Sequence, residues 1–287
     1  MIIAVASGKG GTGKTTVSVN LATVFPTPVQ LLDCDVEEPN AHLFLNAPPA
    51  DEEIVHLPVP DVLANRCDGC GACGRFCQYR AIVSFGTQPL VFPELCHGCG
   101  GCALVCPRQA IVETPRRVGV VERRQAGHIR LLTGRMDVGV AMAPPLVRAV
   151  KARLDPALPA ILDAPPGTSC PVIATLRDVD AVLLVTEPTP FGLHDLTLAV
   201  DMVRELGLPF GVAVNRMGVG DDRVHDYCRR EGIPVWLEIP DDRRIAEAYS
   251  RGELIVDALP EYQSLYRQLR DRLEHLVQQG ARTHADL

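Results

Sequence analysis

Eight of the chain's eleven cysteines repeat one spacing that suits them to bind iron. In each copy, two residues separate the first three cysteines and three residues precede the fourth; the copies comprise Cys67, Cys70, Cys73 and Cys77, and Cys96, Cys99, Cys102 and Cys106. Cysteine thiolates bind iron–sulfur clusters, four to each [4Fe–4S] cluster. Structural zinc usually takes two separated Cys-x2-Cys pairs, and disulfides rarely persist in the cytosol. The spacing therefore predicts two [4Fe–4S] clusters.

The two cysteine runs belong to an internal duplication. At an offset of 29 positions, nine residues of the first copy have an identical counterpart in the second. The surrounding segment, residues 61–114, is rich in cysteine and glycine and has prolines on both sides. We predict that this segment, here called the cysteine module, is an insertion. It would divide a larger domain into two parts, residues 1–60 and 115–287.

The second run ends in Cys106-Pro107 and resembles the two-cluster ferredoxins of bacteria. In that family the fourth cysteine of each run binds the cluster of the other run. The resemblance implies two crossed ligand sets, which are Cys67, Cys70, Cys73 and Cys106, and Cys96, Cys99, Cys102 and Cys77. One position departs from the family, because Cys77 is followed by Gln78 and not by proline.

A glycine-rich loop near the N-terminus has the pattern of a phosphate-binding site. Residues 8–15 read Gly-Lys-Gly-Gly-Thr-Gly-Lys-Thr, which fits G-x-x-x-x-G-K-[ST]. Lys14 is expected to reach the β- and γ-phosphates of ATP, and the Thr15 hydroxyl to bind Mg²⁺. A helix that begins at the loop adds its positive dipole end. The residues predicted to surround the phosphates of ATP or ADP are Gly8, Gly10, Gly11, Thr12, Gly13, Lys14, Thr15 and Thr16.

Lysine is rare in this chain. Only three of its 28 basic residues are lysines, and two of them, Lys9 and Lys14, lie in the glycine-rich loop; the third is Lys151. A compact ammonium fits among phosphate oxygens where a wide planar guanidinium does not. The loop therefore requires lysine chemistry.

The glycine-rich loop must be held between a strand and a helix. An apolar run at Ile2–Ala6 precedes it, and apolar residues at helical spacing follow over Lys14–Val24. Further buried strands are predicted at Val29–Leu32, Ala160–Leu162, Ala181–Val185, Gly211–Val214 and Val235–Ile239. Helices are predicted at Leu193–Leu206, Arg223–Glu231, Arg243–Arg251 and Glu261–Gln278. Apolar strands alternating with helices predict an α/β fold with a mostly parallel sheet flanked by helices, interrupted by a small α+β insertion.

An additional lysine and two later motifs resemble those of the deviant Walker A ATPases. This superfamily includes MinD, ParA, the Mrp-type cluster carriers and the nitrogenase iron protein. The matching motifs are Lys9, Asp33-Cys34-Asp35 and Asp163-Ala164-Pro165-Pro166-Gly167. The inserted two-cluster unit is similar to that of MinD-superfamily ATPases from anaerobic bacteria and archaea. The resemblance covers essentially the whole chain and implies a P-loop NTPase that hydrolyses ATP.

The resemblance implies a role for each charged residue that matches a motif. Lys9 would reach the nucleotide of a second subunit in an ATP sandwich dimer, formed by like chains or by two related ones. Asp35 lies in the segment of residues 33–40 that matches switch I, and it would orient or deprotonate the attacking water. Asp163 would hold Mg²⁺ through water. Lys14 and Lys9 would offset the charge on the transferred phosphoryl group. The predicted Mg²⁺ site thus comprises Thr15, Asp35 and Asp163.

Other matching positions lie at the γ-phosphate and at the base. Gly167 would begin switch II, the segment that senses the γ-phosphate. For Arg216, stacking on the base and simple solvation are equal alternatives. Asp33 is expected to be structural, and His194 and Asp195 to belong to the start of a helix. The residues implied at the adenine are Asn215, Arg216, Pro240 and Asp241.

Composition and charge exclude several classes of protein. The net charge of −7 disfavours a nucleic-acid binder, which would usually be basic. The N-terminus lacks the features of a signal peptide, and no apolar run approaches the length of a bilayer span. We therefore predict a cytoplasmic protein. The tail from Gly280 is short and not basic, so membrane binding is not expected.

Three functions agree with this combination of motifs. The first is ATP-gated electron transfer through two clusters to a partner protein. The second is an ATPase that assembles or matures iron–sulfur or metal cofactors in an accepting protein. The third is a positioning ATPase whose clusters are structural or sense redox state. Carriers of the superfamily bind one labile cluster through a Cys-x-x-Cys pair, whereas this chain has eight predicted ligands, which favours the first function.

Overall fold

The computed structural model describes residues 1–86 and 88–285. The strands are β1 (Ile2–Ala6), β2 (Val29–Asp33), β3 (Pro49–Val62), β4 (Ile82–Phe85), β5 (Gln88–Val91), β6 (Ile111–Ala126), β7 (Ile129–Met136), β8 (Ala160–Asp163), β9 (Ala181–Thr186), β10 (Phe210–Met217) and β11 (Val235–Pro240). The helices are α1 (Lys14–Thr23), α2 (Ala41–Leu45), α3 (Ala72–Phe76), α4 (Gly101–Leu104), α5 (Pro144–Lys151), α6 (Cys170–Leu176), α7 (Pro190–Glu205), α8 (Arg223–Arg230), α9 (Arg243–Ser250), α10 (Ile255–Ala258) and α11 (Gln263–Ala285). Short 3-10 helices lie at Pro93–Leu95 and Pro260–Tyr262.

A nine-stranded sheet organises this part of the chain, in the order β11-β10-β9-β1-β8-β2-β7-β6-β3. The strands from β11 to β7 are parallel, and β6 and β3 continue the sheet as antiparallel strands. The central strands are apolar and fully buried because helices cover both faces. Helices α5 to α8 pack on one face, and α1, α2, α10 and α11 on the other. This arrangement confirms the predicted α/β fold with a mostly parallel sheet.

Three strands of the sheet, β3, β6 and β7, were not predicted from the sequence. Strand β3 is the sheet edge, its first six residues are exposed, and only part of its second half, including Leu57 and Val59, is buried. Prolines interrupt its apolar pattern, although an edge strand tolerates proline. Pro58 of β3 lies opposite Pro115 of β6. Neither has an N–H to donate, so they suit a position where the ladder has no hydrogen bond between the facing residues.

The two halves of the cysteine module are similar in backbone conformation as well as in sequence. Helices α3 and α4 each follow a glycine in the left-handed region, Gly71 (φ 74°) and Gly100 (φ 70°). Strands β4 and β5 form an antiparallel hairpin, and Ile82 packs with Ile111 and Cys73 in a small core. Strands β3 and β6 cross the predicted boundaries without a break, so the module continues the main sheet at its base. The domain boundaries stay a prediction.

Within residues 1–86 and 88–285, no helix has the length and apolar character needed to cross a bilayer. The tail, for which no membrane binding is expected, ends outside that part of the chain.

Candidate functional site

The glycine-rich loop connects β1 to α1 and is contacted by a side chain of β10, two strands from β1 in the sheet. The Asn215 side-chain amide donates a hydrogen bond to the Thr12 carbonyl (N···O 2.9 Å). Gly13 has φ 95°, and a Cβ there would lie 2.4 Å from Asn215 Nδ2. Gly11 also has a positive φ, 80°. The loop thus needs glycine both for its backbone conformation and for the approach of Asn215.

The loop forms one wall of a cavity of about 470 Å³. Eleven of the predicted nucleotide residues line it, and they are Gly10, Gly11, Gly13, Lys14, Thr15, Thr16, Asp35, Asn215, Arg216, Pro240 and Asp241. It lies at the carboxyl ends of the parallel strands, where open α/β sheets bind ligands. Its volume falls within the range of small-molecule sites, about 300–1,000 Å³. The roles of the individual residues stay predictions.

Asp163 lies at the end of β8, below the cavity, and accepts two hydroxyl hydrogen bonds. Thr15 Oγ1 donates to Asp163 Oδ2 (2.6 Å), and Ser18 Oγ donates to Asp163 Oδ1 (3.0 Å). Asp163 is buried, and burial raises the pKa of its carboxyl. A Thr hydroxyl and a carboxylate are oxygen donors of the kind that Mg²⁺ prefers. These two side chains therefore fit the predicted Mg²⁺ site.

The opposite charges of Lys14 and Asp35 attract each other inside the cavity. Burial lowers the pKa of the Lys14 ammonium, and the carboxylates of Asp163 and Asp35 oppose that effect. Burial raises the pKa of Asp35 to about 6, and the positive charge of Lys14 limits the rise. A carboxylate with a pKa near neutrality is suited to accept a proton from water. Both residues line the cavity and their charges interact, and their catalytic roles stay predictions.

The raised pKa of Asp35 predicts a pH-dependent effect on stability. Because the protonated form is favoured in the folded state, Asp35 reduces stability as pH rises from its ordinary pKa of 3.8 to about 6, and the full cost remains above that pH. Asp35→Asn in the nucleotide-free protein should therefore increase stability by on the order of 2 kcal/mol at pH 7.5, and by less at pH 5. Thermal unfolding with EDTA at both pH values measures this difference. A gain that is equal at both, or larger at pH 5, would contradict it.

Asp33 has a structural position at the end of β2. It is fully buried and accepts hydrogen bonds from the backbone N–H groups of Asn40 (2.9 Å) and Ala41 (3.0 Å). Burial, together with the charge of Asp163, raises the pKa of its carboxyl well above the usual range. Asp33 thus fixes the segment between Asp35 and α2 to the strand that precedes it.

Lys9 and Arg216 share one partner, Glu187, which sequence analysis did not identify. Glu187 Oε1 accepts a hydrogen bond from Arg216 Nη1 (3.0 Å), and Lys9 Nζ lies 3.6 Å from Glu187 Oε2. Glu187 is nearly buried, whereas the Lys9 side chain is 31% exposed. Arg216 lines the cavity but Lys9 does not. In this chain Lys9 thus pairs with Glu187, which does not line the cavity either.

Two further predicted residues need glycine for different reasons, Gly8 because of a close approach and Gly167 because of its backbone conformation. A Cβ at Gly8 would lie 2.0 Å from the carbonyl oxygen of Asp195. Gly167 has φ 93°, and its N–H donates to the Ser7 carbonyl (3.0 Å). His194 and Asp195 lie in the first turns of α7, as expected of a helix start. Gly8 and Gly167 therefore hold backbone segments close to the loop.

The eight module cysteines line two separate cavities, and the division follows the crossed pairing. We name the two groups the first thiol set, Cys67, Cys70, Cys73 and Cys106, and the second thiol set, Cys77, Cys96, Cys99 and Cys102. The cavity of the second set is the larger, about 310 Å³. Each set thus combines three cysteines of one run with the fourth of the other.

Backbone donors and neighbouring thiols act on both sets. The N–H groups of Gly98 and Ala110 donate to the sulfurs of Cys96 (3.4 Å) and Cys106 (3.3 Å). Burial raises the pKa of the Cys73 thiol, and the other thiols of its set add to the rise. Four cysteines around one cavity, with N–H···S contacts to some of the sulfurs, supply the ligand type and number that a [4Fe–4S] cluster requires. No group of three or more His, Cys, Asp or Glu side chains suited to a metal ion occurs in the described part of the chain, so cluster binding stays a prediction.

Sequence analysis did not identify several residues that line the cavity, because their residue types alone do not indicate a binding site. The additional lining residues are Glu38, Asn40, Pro166, Asp242, Ile245, Ala246 and Tyr249. Ser18 lies one helical turn after Lys14 and therefore on the same face of α1. This spacing could have indicated that Ser18 also lies near the site, where it contacts Asp163. Glu187 follows β9 directly, and the rule that ligands bind beyond the carboxyl ends of parallel strands pointed to it.

Comparison with known sequences identifies relatives along nearly the whole chain. Two uncharacterised proteins of Methanocaldococcus jannaschii are 30% identical over 293 residues and 29% identical over 283 residues. Each comparison spans 96% of this chain, with 96% and 98% of the relatives. An iron–sulfur cluster carrier protein of Pyrococcus horikoshii is 24% identical over 277 residues, which are 88% of this chain and 78% of that protein.

Solved structures and a family model agree with the fold. MinD of Pyrococcus horikoshii, solved with Mg-ADP, superposes with a TM-score of 0.59 at 21% identity over 96% of both chains. The cell division ATPase MinD of Pyrococcus furiosus gives 0.59 at 22% identity, over 96% of this chain and 98% of that one. At these identities the likeness concerns the fold. The model of the CobQ/CobB/MinD/ParA nucleotide-binding domain matches residues 3–255, and the chain therefore belongs to that family.

Proposed function

We propose that the chain is an ATPase whose nucleotide state controls electron transfer between the cysteine module and a partner protein. One observation carries this proposal. A continuous series of hydrogen-bonded strands leads from the residue after Asp35 to the wall of the cavity of the second thiol set. A module attached by a flexible linker would offer no such connection.

The connection starts at Val36, which follows the predicted switch I aspartate. The Val36 carbonyl accepts a hydrogen bond from the N–H of Met136, the last residue of β7 (2.9 Å). Val36 also packs against Gly134 of β7, where a Cβ would lie 2.5 Å from Val36 Cγ1. Segments ordered by a γ-phosphate relax when it is lost. A relaxation at Asp35 would therefore act directly on the end of β7.

The sheet extends this connection to the cysteine module. Strand β7 pairs with β6 along its whole length, and β6 pairs with β3 as far as Val62. Pro58 and Pro60 of β3 and Glu113 of β6 line the cavity of the second thiol set. A displacement of β7 would thus reach that cavity through paired backbone.

The residues around the nucleotide cavity supply what in-line attack of water on ATP requires. Lys14 would offset the charge of the transferred phosphoryl group. Thr15 and Asp163 would hold Mg²⁺, and Asp35 would accept the proton of the attacking water. The side-chain amide of Asn215, with Pro240 and the rest of the cavity rim, would position the base.

We further propose that Lys9 serves the nucleotide of a second ATPase subunit. Its contact with Glu187 and its position outside the cavity of its own chain support this role. Two such domains, from like or related chains, would then enclose two nucleotides. In the cysteine module, the two thiol sets would hold two [4Fe–4S] clusters. When bound, these clusters supply one-electron carriers.

The experiment that tests this function is a redox titration of anaerobically purified protein with and without Mg-ATP. Electron paramagnetic resonance would report the potential of each cluster. We expect Mg-ATP to shift the potential at the second thiol set by on the order of 50 mV, about a tenfold change in a one-electron equilibrium. Asp35→Asn is the matched variant, because it should bind nucleotide while the conformation of its switch I segment responds differently to that nucleotide. Unchanged potentials and unchanged electron-transfer rates would overturn the proposal.

A second candidate function is ATP-dependent assembly of iron–sulfur or metal cofactors. It is favoured by relatives named as iron–sulfur cluster carrier proteins, including those of Pyrococcus horikoshii and Aquifex aeolicus. The discriminating measurement is transfer of labelled iron to an apo-ferredoxin in the presence of Mg-ATP. Transfer that requires ATP would favour assembly. Stable retention of iron during turnover would favour electron transfer.

A further inference from the structure

The chain's third lysine binds the end of a helix. Lys151 is the last residue of α5, and its Nζ donates to the carbonyls of Ala174 (3.2 Å) and Thr175 (2.8 Å) in α6. The Arg177 carbonyl, just beyond α6, accepts from the same nitrogen. The last carbonyls of a helix have no partner within the helix. An ammonium offers three donors from one point, whereas the donors of a guanidinium lie in one plane.

Helix α6 follows the segment predicted to sense the γ-phosphate. It begins at Cys170, three residues after Gly167. The end of α6 also reaches switch I, because the Cys34 thiol lies against Thr175. Burial raises the pKa of the Cys34 thiol, and the nearby Lys151 ammonium and Thr175 hydroxyl oppose the rise. Lys151 therefore lies where α5, α6 and the end of β2 meet.

Helix α5 in turn packs on the strands that lead to the cysteine module. A Cβ at Gly119 of β6 would lie 2.8 Å from Leu146 Cδ2, so this face of α5 lies against the strand. Just after α5, Arg153 Nε donates to Glu53 Oε2 of β3 (2.8 Å). A movement of α5 would therefore act on both β3 and β6.

The strand that α5 contacts forms part of the wall of the second thiol set's cavity. Pro58 and Pro60 of β3 line this cavity together with His97 and Tyr79, whose rings stack with centroids 3.5 Å apart. A movement of β3 would therefore act on the wall of the cavity.

We propose that Lys151 is a positioning residue that makes α6 and α5 move together and so transmits the nucleotide state to the second thiol set. This inference rests on the proposed function and adds a second connection, which begins at switch II instead of switch I. The connection runs from α6 through the Lys151 ammonium to α5, and from α5 through β3 to the wall of the second thiol set's cavity.

Hydrogen exchange of the cluster-loaded protein tests this role, with Mg²⁺ and a non-hydrolysable ATP analogue as the probe. In the wild type, the analogue should slow exchange in α5 and β3 by a factor on the order of ten. Lys151→Met keeps the aliphatic stem but removes the three donors. We expect it to bind nucleotide and retain its iron, but to lose the exchange response in α5 and β3 while keeping that in α6.

Arg270→Met is the matched control. Arg270 Nη1 donates to the Val24 carbonyl just beyond α1 (2.7 Å), so it also binds a helix end, but on the opposite face of the sheet. This variant should keep the full response in α5. Should Lys151→Met fail to fold, Lys151→Arg retains the charge and should still show a reduced response in α5.

The outcomes separate this inference from the function on which it rests. Two results would overturn the role of Lys151. The first is hydrogen exchange in α5 of the wild type that does not change with the ATP analogue. The second is the full change in α5 exchange in a folded Lys151 variant. In a third result, the α5 exchange response depends on Lys151, but the cluster potentials of the wild type and of Lys151→Met do not change with nucleotide. This result would support the coupled movement of α6 and α5 and would contradict nucleotide control of electron transfer. Loss of both the α5 response and the ATP-dependent potential shift in Lys151→Met would support both.

Discussion

Replacing Lys14 with alanine is expected to lower the rate of ATP hydrolysis by a factor of about 10²–10³, the usual effect of removing one preorganised group that stabilises developing charge. Lys14 is buried in the nucleotide cavity, and its ammonium interacts with the carboxylates of Asp163 and Asp35. Without it, two carboxylates face the phosphates uncompensated, so nucleotide affinity should fall as well. Steady-state phosphate release at saturating Mg-ATP measures the effect.

The proposed clusters provide an internal control for this variant. In the described part of the chain, no cysteine lines the nucleotide cavity, so visible absorbance of the clusters should be unchanged in Lys14→Ala. Arg223→Ala is the matched variant, because it removes an exposed cation that is paired with Asp221 outside the cavity. It should hydrolyse ATP at the wild-type rate. Loss of cluster absorbance in Lys14→Ala would mean that the two sites do not fold independently.

The crossed arrangement of the thiol sets predicts the second large effect. Cys106→Ala should remove the cluster of the first thiol set, although Cys106 belongs to the second run, because its sulfur lies in the cavity of that set. The iron content should fall from about eight to about four atoms per chain, since each [4Fe–4S] cluster requires four thiolates. Iron analysis of anaerobically purified protein measures this loss.

Double substitutions distinguish crossed from uncrossed ligation. Cys67→Ala with Cys106→Ala affects one thiol set only, so about four iron atoms per chain should remain. Cys77→Ala with Cys106→Ala affects both sets and should remove nearly all iron. Cys228→Ala, in the core of the main domain, is the control and should leave the iron content unchanged. Nearly complete loss of iron in the first pair would show uncrossed ligation.

The parallel part of the sheet and the phosphate loop could be predicted because their signals are local. A run such as Ile2–Ala6 is apolar throughout, as a strand buried on both faces must be. The predicted strand at Val29–Leu32 differs from β2 by a single residue. The glycine-rich loop carries its own pattern, and the structure places most of its residues around one cavity.

The antiparallel strands and the partner of Lys9 could not be predicted from local sequence patterns, because each depends on residues that are far apart along the chain. Strand β3 is an edge strand whose first half faces solvent and is rich in acidic residues, so its pattern resembles that of a loop. It is stabilised by pairing with β6, on the far side of the whole module. Glu187 similarly becomes a partner of Lys9 only when β9 lies beside β1.

The pairing of β3 with β6 through the base of the cysteine module has a mechanical consequence. A domain on a flexible linker samples many orientations, and its distance from the rest of the protein fluctuates with linker length. Here two paired strands, with a rise of about 3.4 Å per residue, set the distance between the main sheet and the thiol sets. A change at one end of this strand pair would reach the other end as small twists and shears shared by both strands. Changing the length of both strands by two residues, which preserves the side-chain alternation, would therefore change the geometry between the two sites without replacing a cysteine of either thiol set.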